Sequence, residues 1–332
     1  MAGPFDLGPA VDVHHHWLPR EIADHVADYL PEGYTVREDG PIRHIRDPQG
    51  QRVQSVNVET FPDIDRRLEL MDAAGIQLAL LSPGCFPQWM TMKAARVIND
   101  AAAGLAREHG DRFRPMINVP PFGELGILEE MERAAKMGLR GVCITTNFGG
   151  LYPDEDAYQP FLHKAAELDL PVFIHAAGAP VEYAVMRKYD LTTPMGRSLD
   201  LCLTPVRLIC SGAFENIPGL KVVIAHLGGF VFANLDRWFG PPTTETARYP
   251  LDKAQQAMDQ MLFDSAPAGW YSAAEIQYAI DRLGPSRVTL GSDYPHGADS
   301  LRHATDSICA LNLSQEDKRQ IAGANARRLY AL

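Results

Sequence analysis

The stretch VDVHHHWLPR, Val11 to Arg20, sets three adjacent histidines at the end of a short β-prone run. Valines alternate with polar residues before them, and Trp-Leu-Pro ends the run. Successive side chains of a strand point to opposite faces, so His14 and His16 share one face and His15 takes the other. Two imidazoles on one face, one strand period apart, are close enough to chelate a single divalent ion. His15 is then expected to turn outward to packing. Asp12 shares the parity of His14 and His16 but lies one layer deeper, which suits a supporting or packing role.

Seven further β-prone runs follow: QLALLSP (77–83), FRPMINVP (113–120), GVCITT (141–146), PVFIHA (171–176), KVVIAHLG (221–228), QMLFDSA (260–266) and RVTLGSDYP (287–295). Between them apolar residues recur at helical spacing in segments 63–75, 94–110, 127–138, 161–169, 203–216 and 272–284. Gly75, Gly110, Gly138 and Gly284 stand where helices end. Strands alternating with helices require parallel pairing with crossover helices. Eight such units predict an α/β fold, a closed (β/α)8 TIM-like barrel occupying residues 1–332 as one domain. No G-x-G-x-x-G follows the first strand, which removes the commonest reason to prefer an open doubly wound sheet.

The connection after the first strand is long, residues 17–61. Within it TVREDGPIRHIRDPQGQRVQSV alternates β-prone residues with Asp-Gly and Pro-Gln-Gly turn signals, predicting a small hairpin insertion. An insertion at that point lies over the barrel mouth. Residues 178–200 form a second long rim loop.

On these strands the unusual polar residues fall into place. His14 and His16 end the first strand, His175 the fifth, His226 the sixth and Asp293 the eighth. All lie at C-terminal strand ends, where barrel enzymes keep their chemistry. A single histidine at such a place is usually a satisfied polar residue, and GSDYP alone reads as a turn. Four strand ends delivering His or Asp to one mouth point instead to a metal site. Three or four nitrogen and oxygen ligands with an open position suit one catalytic divalent ion, zinc first, with manganese or iron as alternatives.

The chain carries 31 Lys and Arg against 42 Asp and Glu, a formal charge of −11. That balance argues against nucleic acid or an anionic membrane as the main partner and leaves a small molecule. Neither a secretory leader nor a run of membrane-spanning length is read. Five scattered cysteines read as reduced thiols, so a cytoplasmic setting is expected. A homodimer is the default expectation.

With these residues placed, the chain resembles the amidohydrolase superfamily, in particular the amidohydrolase-2 branch that includes aminocarboxymuconate-semialdehyde decarboxylase. DVHHHWLP, PVFIHA, ENIPGLKVVIAHLGG, VTLGSDYP and the closing GANARRLYAL carry the resemblance in order along almost the whole chain. It implies that His14, His16, His175 and Asp293 bind the metal and that His226 is the acid–base group beside it. Binuclear relatives bring a lysine to the end of strand four; GVCITTNFGG has none, implying a mononuclear site. The semialdehyde decarboxylase has an arginine where this chain has Ser55, with Arg52 three residues earlier. That departure argues against the same aminocarboxymuconate substrate.

Two reactions fit the ligand set. A metal-dependent, non-oxidative decarboxylase would act on a small unsaturated or aromatic acid, with His226 and Asp293 as proton carriers. A hydrolase of an amide, lactone or C–C bond would use the same site. A structural zinc site is disfavoured because such sites close all four positions, usually with cysteine. Arg52, Arg197, Trp89 and His296 are the candidates for touching substrate, the arginines by gripping a carboxylate. Arg187, Phe86, Phe148, Trp270 and Tyr294 occupy rim regions as well.

Overall fold

A computed structural model describes residues 7–181, 184–239, 250–266, 272–297 and 299–332. The first strand, β1 (Ala10–His16), is followed by β2 (Thr35–Asp39), β3 (Ile42–Arg46) and β4 (Arg52–Asn57) of the insertion. The barrel resumes with β5 (Ile76–Ser82), β6 (Phe113–Pro115), β7 (Ile117–Asn118) and β8 (Val142–Thr145). It continues through β9 (Val172–His175), β10 (Val222–Ile224), β11 (Met261–Asp264) and β12 (Val288–Thr289).

Every barrel pairing is parallel. β6 and β7 are one path that changes neighbours at Met116. Pro115 brings no N–H to the ladder; Met116 N then donates to Leu81 O on one side, and Ile117 N to Gly141 O on the other, each at 2.9 Å. The ring closes between β12 and β1, where Val13 N donates to Leu290 O at 3.0 Å and His16 N to Tyr294 O at 2.7 Å. Counting β6 with β7 as one, the eight expected strand positions are filled.

Crossover helices follow the strands: Ile64–Ala74, Met92–Glu108, Ile127–Lys136, Gln159–Glu167, Arg197–Cys210, Leu251–Met258, Ala273–Leu283 and Ser300–Ala310. Asp63 and Thr91 cap the first two, and Ser272 with Glu275 forms a capping box on the seventh. Two of them, Leu251–Met258 and Ser300–Ala310, are not among the periodic segments of the sequence. Both bury a stripe at helical spacing that the sequence reading passed over, Ala254, Ala257 and Met258 in one and Leu301, Ala304, Thr305 and Ile308 in the other. The segment expected to be helical over 203–216 begins instead at Arg197, inside the stretch read as rim loop. Pro205 lies in its interior, where the Thr204 hydroxyl donates to Asp200 O at 2.8 Å. No described helix is long and apolar enough to cross a membrane.

The insertion is more than a hairpin: β2, β3 and β4 form a three-stranded antiparallel sheet. The third strand, RVQSVN, lies almost wholly inside the β-prone stretch read as a hairpin; the adjacent polar pair Gln54-Ser55 breaks its alternation. Ile45, Val53 and Val56 are buried in a core of their own with Leu18, Ile22, Phe86, Trp89 and Ile98, separate from the barrel's. The sheet is tied to the barrel rim. Gln54 Nε2 donates to Pro83 O at 3.2 Å, and Arg197 Nη2 to Val53 O at 2.9 Å. Gly178 passes so close that a Cβ there would stand 2.4 Å from Val53 O, so only glycine fits.

Candidate metal centre

Three strand ends bring donor atoms to one point at the barrel mouth. His14 and His16 Nε2 atoms lie 3.1 Å apart. Asp293 Oδ1 is 2.8 Å from His16 Nε2 and 3.2 Å from His14 Nε2. Donors about 2.1 Å from a shared cation and at right angles to one another stand about 3 Å apart, so these three atoms have the spacing of ligands. Donor atoms of His14, His175, His226 and Asp293 fall within 4.8 Å of one another, as do those of His16, Asp293 and His296.

The far side of each ring is held. His14 Nδ1 lies 3.0 Å from Asp264 Oδ2, and His16 Nδ1 lies 3.1 Å from Ser82 Oγ. His175 Nδ1 donates to Ala176 O at 2.9 Å, which fixes its tautomer. Its Nε2 is buried with no hydrogen-bond partner. A buried acceptor left without a partner is costly in a native fold, and a cation beside Asp293 would satisfy it. His226 Nδ1 donates to Ala266 O at 2.9 Å, and its backbone N–H donates to Asp264 Oδ1 at 3.0 Å.

Electrostatics also favour a cation. Burial alone would lower the His14 pKa, but Asp264 and Asp293 outweigh it and push the ring up to about 10. Burial takes His16 down to about 3 despite Asp293, with the charge on His14 adding to the fall. Asp293 is held well below the usual carboxylate range: burial opposes ionisation, and hydrogen bonds from His14 and His16 overcome it. The carboxylates thus force positive charge onto the cluster, the charge a divalent ion would bring. His226 and Asp293 both adopt left-handed backbone, φ 54° and 58°, a strain typical of functional positions.

The third histidine is separate. His15 Nδ1 bonds Asp12 Oδ2 at 2.8 Å, and burial lowers the ring's pKa to about 4. Asp12 thus holds the His15 ring, and its Oδ1 also accepts from the backbone N–H groups of His14 at 3.1 Å and Ser292 at 3.0 Å. The β1–β5 register shifts between Asp12 and His15, which breaks the simple alternation. Arg67, fully buried, grips this corner: Nη1 donates to His16 O at 2.9 Å and Nη2 to Phe61 O at 2.8 Å. Its guanidinium also lies 4.9 Å over the Tyr294 ring.

Above the cluster opens a cavity of about 450 Å³ lined by His175, His226, Asp293 and His296 below and by Arg52, Ser55, Cys85, Arg197 and Leu201 around it. Arg52, Arg197 and His296 thus reach the cavity. Trp89 does not: the insertion covers that part of the rim and draws Trp89 into its core, 5.6 Å from the Tyr34 ring. Phe86 shares that core, Phe148 packs on Phe122, and Tyr294 lies beneath Arg67. Trp270 and the Arg187 side chain lie outside the described residues. Asp264 escaped the sequence reading. It ends the seventh strand and obeys the same strand-end rule that singled out the others.

The chain is similar to known proteins over most of its length. Gamma-resorcylate decarboxylase of Rhizobium sp. (strain MTP-10005) is 26% identical over 292 residues, 81% of this chain and 87% of that protein. The 2-amino-3-carboxymuconate-6-semialdehyde decarboxylase of Dictyostelium discoideum is 25% identical over 280 residues, 81% of this chain and 77% of that protein. Among solved structures, 5-carboxyvanillate decarboxylase from Sphingomonas paucimobilis superposes with a TM-score of 0.80 at 23% identity, covering 98% of this chain and 99% of that one. Dihydroxybenzoic acid decarboxylase from Polaromonas sp. JS666, with bound manganese and 2-nitroresorcinol, gives 0.75 at 23% identity over 98% and 97% of the two chains. The amidohydrolase family model matches residues 11–332. With that match running from the first barrel strand to the last residue, the chain belongs to the amidohydrolase family.

Proposed function

We propose that the chain is a metal-dependent, non-oxidative decarboxylase of a small aromatic or unsaturated carboxylic acid. The observation that carries the reading is that Asp293, clustered with His14, His16 and His175, reaches with His175 and His226 the floor of a cavity whose wall bears Arg52 and Arg197. The family match and the decarboxylases among the relatives support it.

His14, His16, His175 and Asp293 would hold one divalent ion. Their nitrogen and oxygen donors suit zinc or manganese, and the Polaromonas neighbour carries manganese. When bound, the ion supplies Lewis acidity that withdraws electron density from the substrate's carboxylate or an adjacent oxygen. Arg197 is already anchored on Val53 O and offers its guanidinium to the cavity as a carboxylate grip. Leu201 and Val53 give the acid an apolar wall that displaces water. As the C–CO2 bond breaks, its electron pair stays on the ring carbon, which must take a proton. That proton comes from solvent, and His226 and Asp293, both facing the cavity, would pass it to the carbon. Free thiols at Cys85, Cys143, Cys202, Cys210 and Cys309 suit a reducing compartment such as the cytoplasm.

The test is a CO2-evolution screen over hydroxybenzoates and muconate-like acids in H2 18O, with metal analysis. CO2 release that stops with chelator and returns with Mn2+ or Zn2+, without 18O in the organic product, is expected. Label in the product of an amide or lactone, with no CO2 from any acid, would replace decarboxylation by hydrolysis.

A further inference from the structure

Alternation along β2, β3 and β4 gives the insertion sheet an apolar face and a polar one. On the polar face the register sets Arg37 opposite His44 and Arg46 opposite Arg52. These four side chains line an open cleft of about 470 Å³. The cleft adjoins the catalytic cavity at two points. Arg52 lines both, and Thr192 on the cleft is followed by Thr193 on the cavity wall. Ser55, 2.8 Å from His44 Nδ1, also lines the cavity.

This concentration of positive charge lies on a chain of net charge −11. Asp39 answers part of it, 3.5 Å from Arg37 and 3.8 Å from His44. Asp47 is committed to the backbone N–H groups of Gln49 and Gln51. Among the described residues no carboxylate lies within ion-pair distance of Arg46 or Arg52. Like charges directly opposite on paired strands destabilise a sheet, so the Arg46–Arg52 pair is not there for the sheet's benefit. A cleft of one sign leading into a reaction cavity raises the local concentration of oppositely charged ligand.

We propose that the Arg37–Arg46–Arg52 cleft is an anion-collecting entrance that draws the substrate's carboxylate along the insertion sheet into the catalytic cavity. The inference deepens the decarboxylase reading and rests on it for the charge of the substrate. It gives Arg37 and Arg46 a role in capture and none in the chemical step.

The experiment compares the metal-loaded wild type with Arg37→Gln/Arg46→Gln, using 2,6-dihydroxybenzoate and the best acid of the screen. Matching far-UV spectra and melting temperatures establish that the variant folds. At low ionic strength kcat/KM should fall about tenfold with kcat unchanged, and about 0.5 M salt should erase the difference. Equal kcat/KM at low salt, or a deficit insensitive to salt, would overturn the entrance while leaving decarboxylation intact. Stopped-flow association of 2,6-dihydroxybenzoate separates the two ideas. Association slowed in the variant and by salt, with no acid turned over, supports the entrance and sinks the decarboxylase. Absence of association overturns both.

Discussion

His14 Nδ1 sits 3.0 Å from Asp264 Oδ2, and neither side chain touches solvent. Asp264 Oδ1 takes the backbone N–H groups of His226 and Ala266 at 3.0 Å. One carboxylate therefore aims a candidate ligand and fixes the loop that carries His226, the proposed acid–base group. Asp264→Asn keeps the shape but removes the charge, and metal affinity should fall about 10- to 100-fold with the fold retained. Competition titration with a chromogenic chelator measures it; an unchanged affinity would reduce Asp264 to packing.

The three adjacent histidines should separate cleanly. His15→Asn is expected to keep its metal and lose about 1–2 kcal/mol of stability with the Asp12 bond. His14→Asn and His16→Asn should purify without stoichiometric metal. Elemental analysis with chemical denaturation reads both effects, and metal loss from the His15 variant would contradict the assignment.

For His226, bonded to Ala266 O and facing the cavity, the expected split is between binding and chemistry. His226→Ala should retain the metal while turnover falls by about 10²- to 10⁴-fold. Loss of the ion with the activity would make the residue a ligand.

Arg67 holds His16 O, Thr60 O and Phe61 O from a fully buried position. Arg67→Met would leave those carbonyls unsatisfied, and a loss of about 3 kcal/mol or more is expected. Arg67→Lys should recover little of it, because one ammonium cannot span the fork of contacts. Urea midpoints compare the three proteins, and full rescue by lysine would show that charge alone matters.

Asp200 predicts a pH dependence. Burial raises its pKa above the ordinary carboxylate value, against hydrogen bonds from Tyr152, Asn147 and Thr146. The folded chain then keeps this proton to higher pH than the unfolded chain does. Its share of stability is complete below about pH 4 and is lost as pH rises through the folded value. Wild-type minus Asp200→Asn melting temperatures should therefore decline as pH rises from about 4. A flat difference would show that the group does not titrate differently on folding.

Much of this was legible in the chain itself. Short apolar runs ending in His or Asp announced both the barrel and its mouth, because strand alternation and strand-end chemistry are local rules. Asp264 was passed over although it ends a strand as the others do: Asp-Ser reads equally as a turn, and its partner His14 lies 250 residues away. Arg67 stands beside Arg66 in a helix, and only the rotation of the helix against the barrel buries one and exposes the other. Trp89 looked like a rim aromatic until the insertion covered it. Asp12 was read as a supporting residue, and its bonds to the backbone N–H groups of His14 and Ser292 fit that role; its bond to the His15 ring was hidden by the register shift between β1 and β5.

The ring of strands joins its first and last members at His16 and Tyr294, beside the spot where His16 and Asp293 converge. A cation shared by that pair would clasp a loop of chain 277 residues long. Closing so long a loop removes much of the freedom of the unfolded chain. Occupancy of the centre and integrity of the barrel then become one equilibrium, in which withdrawing the ion loosens the seam as well as silencing the reaction.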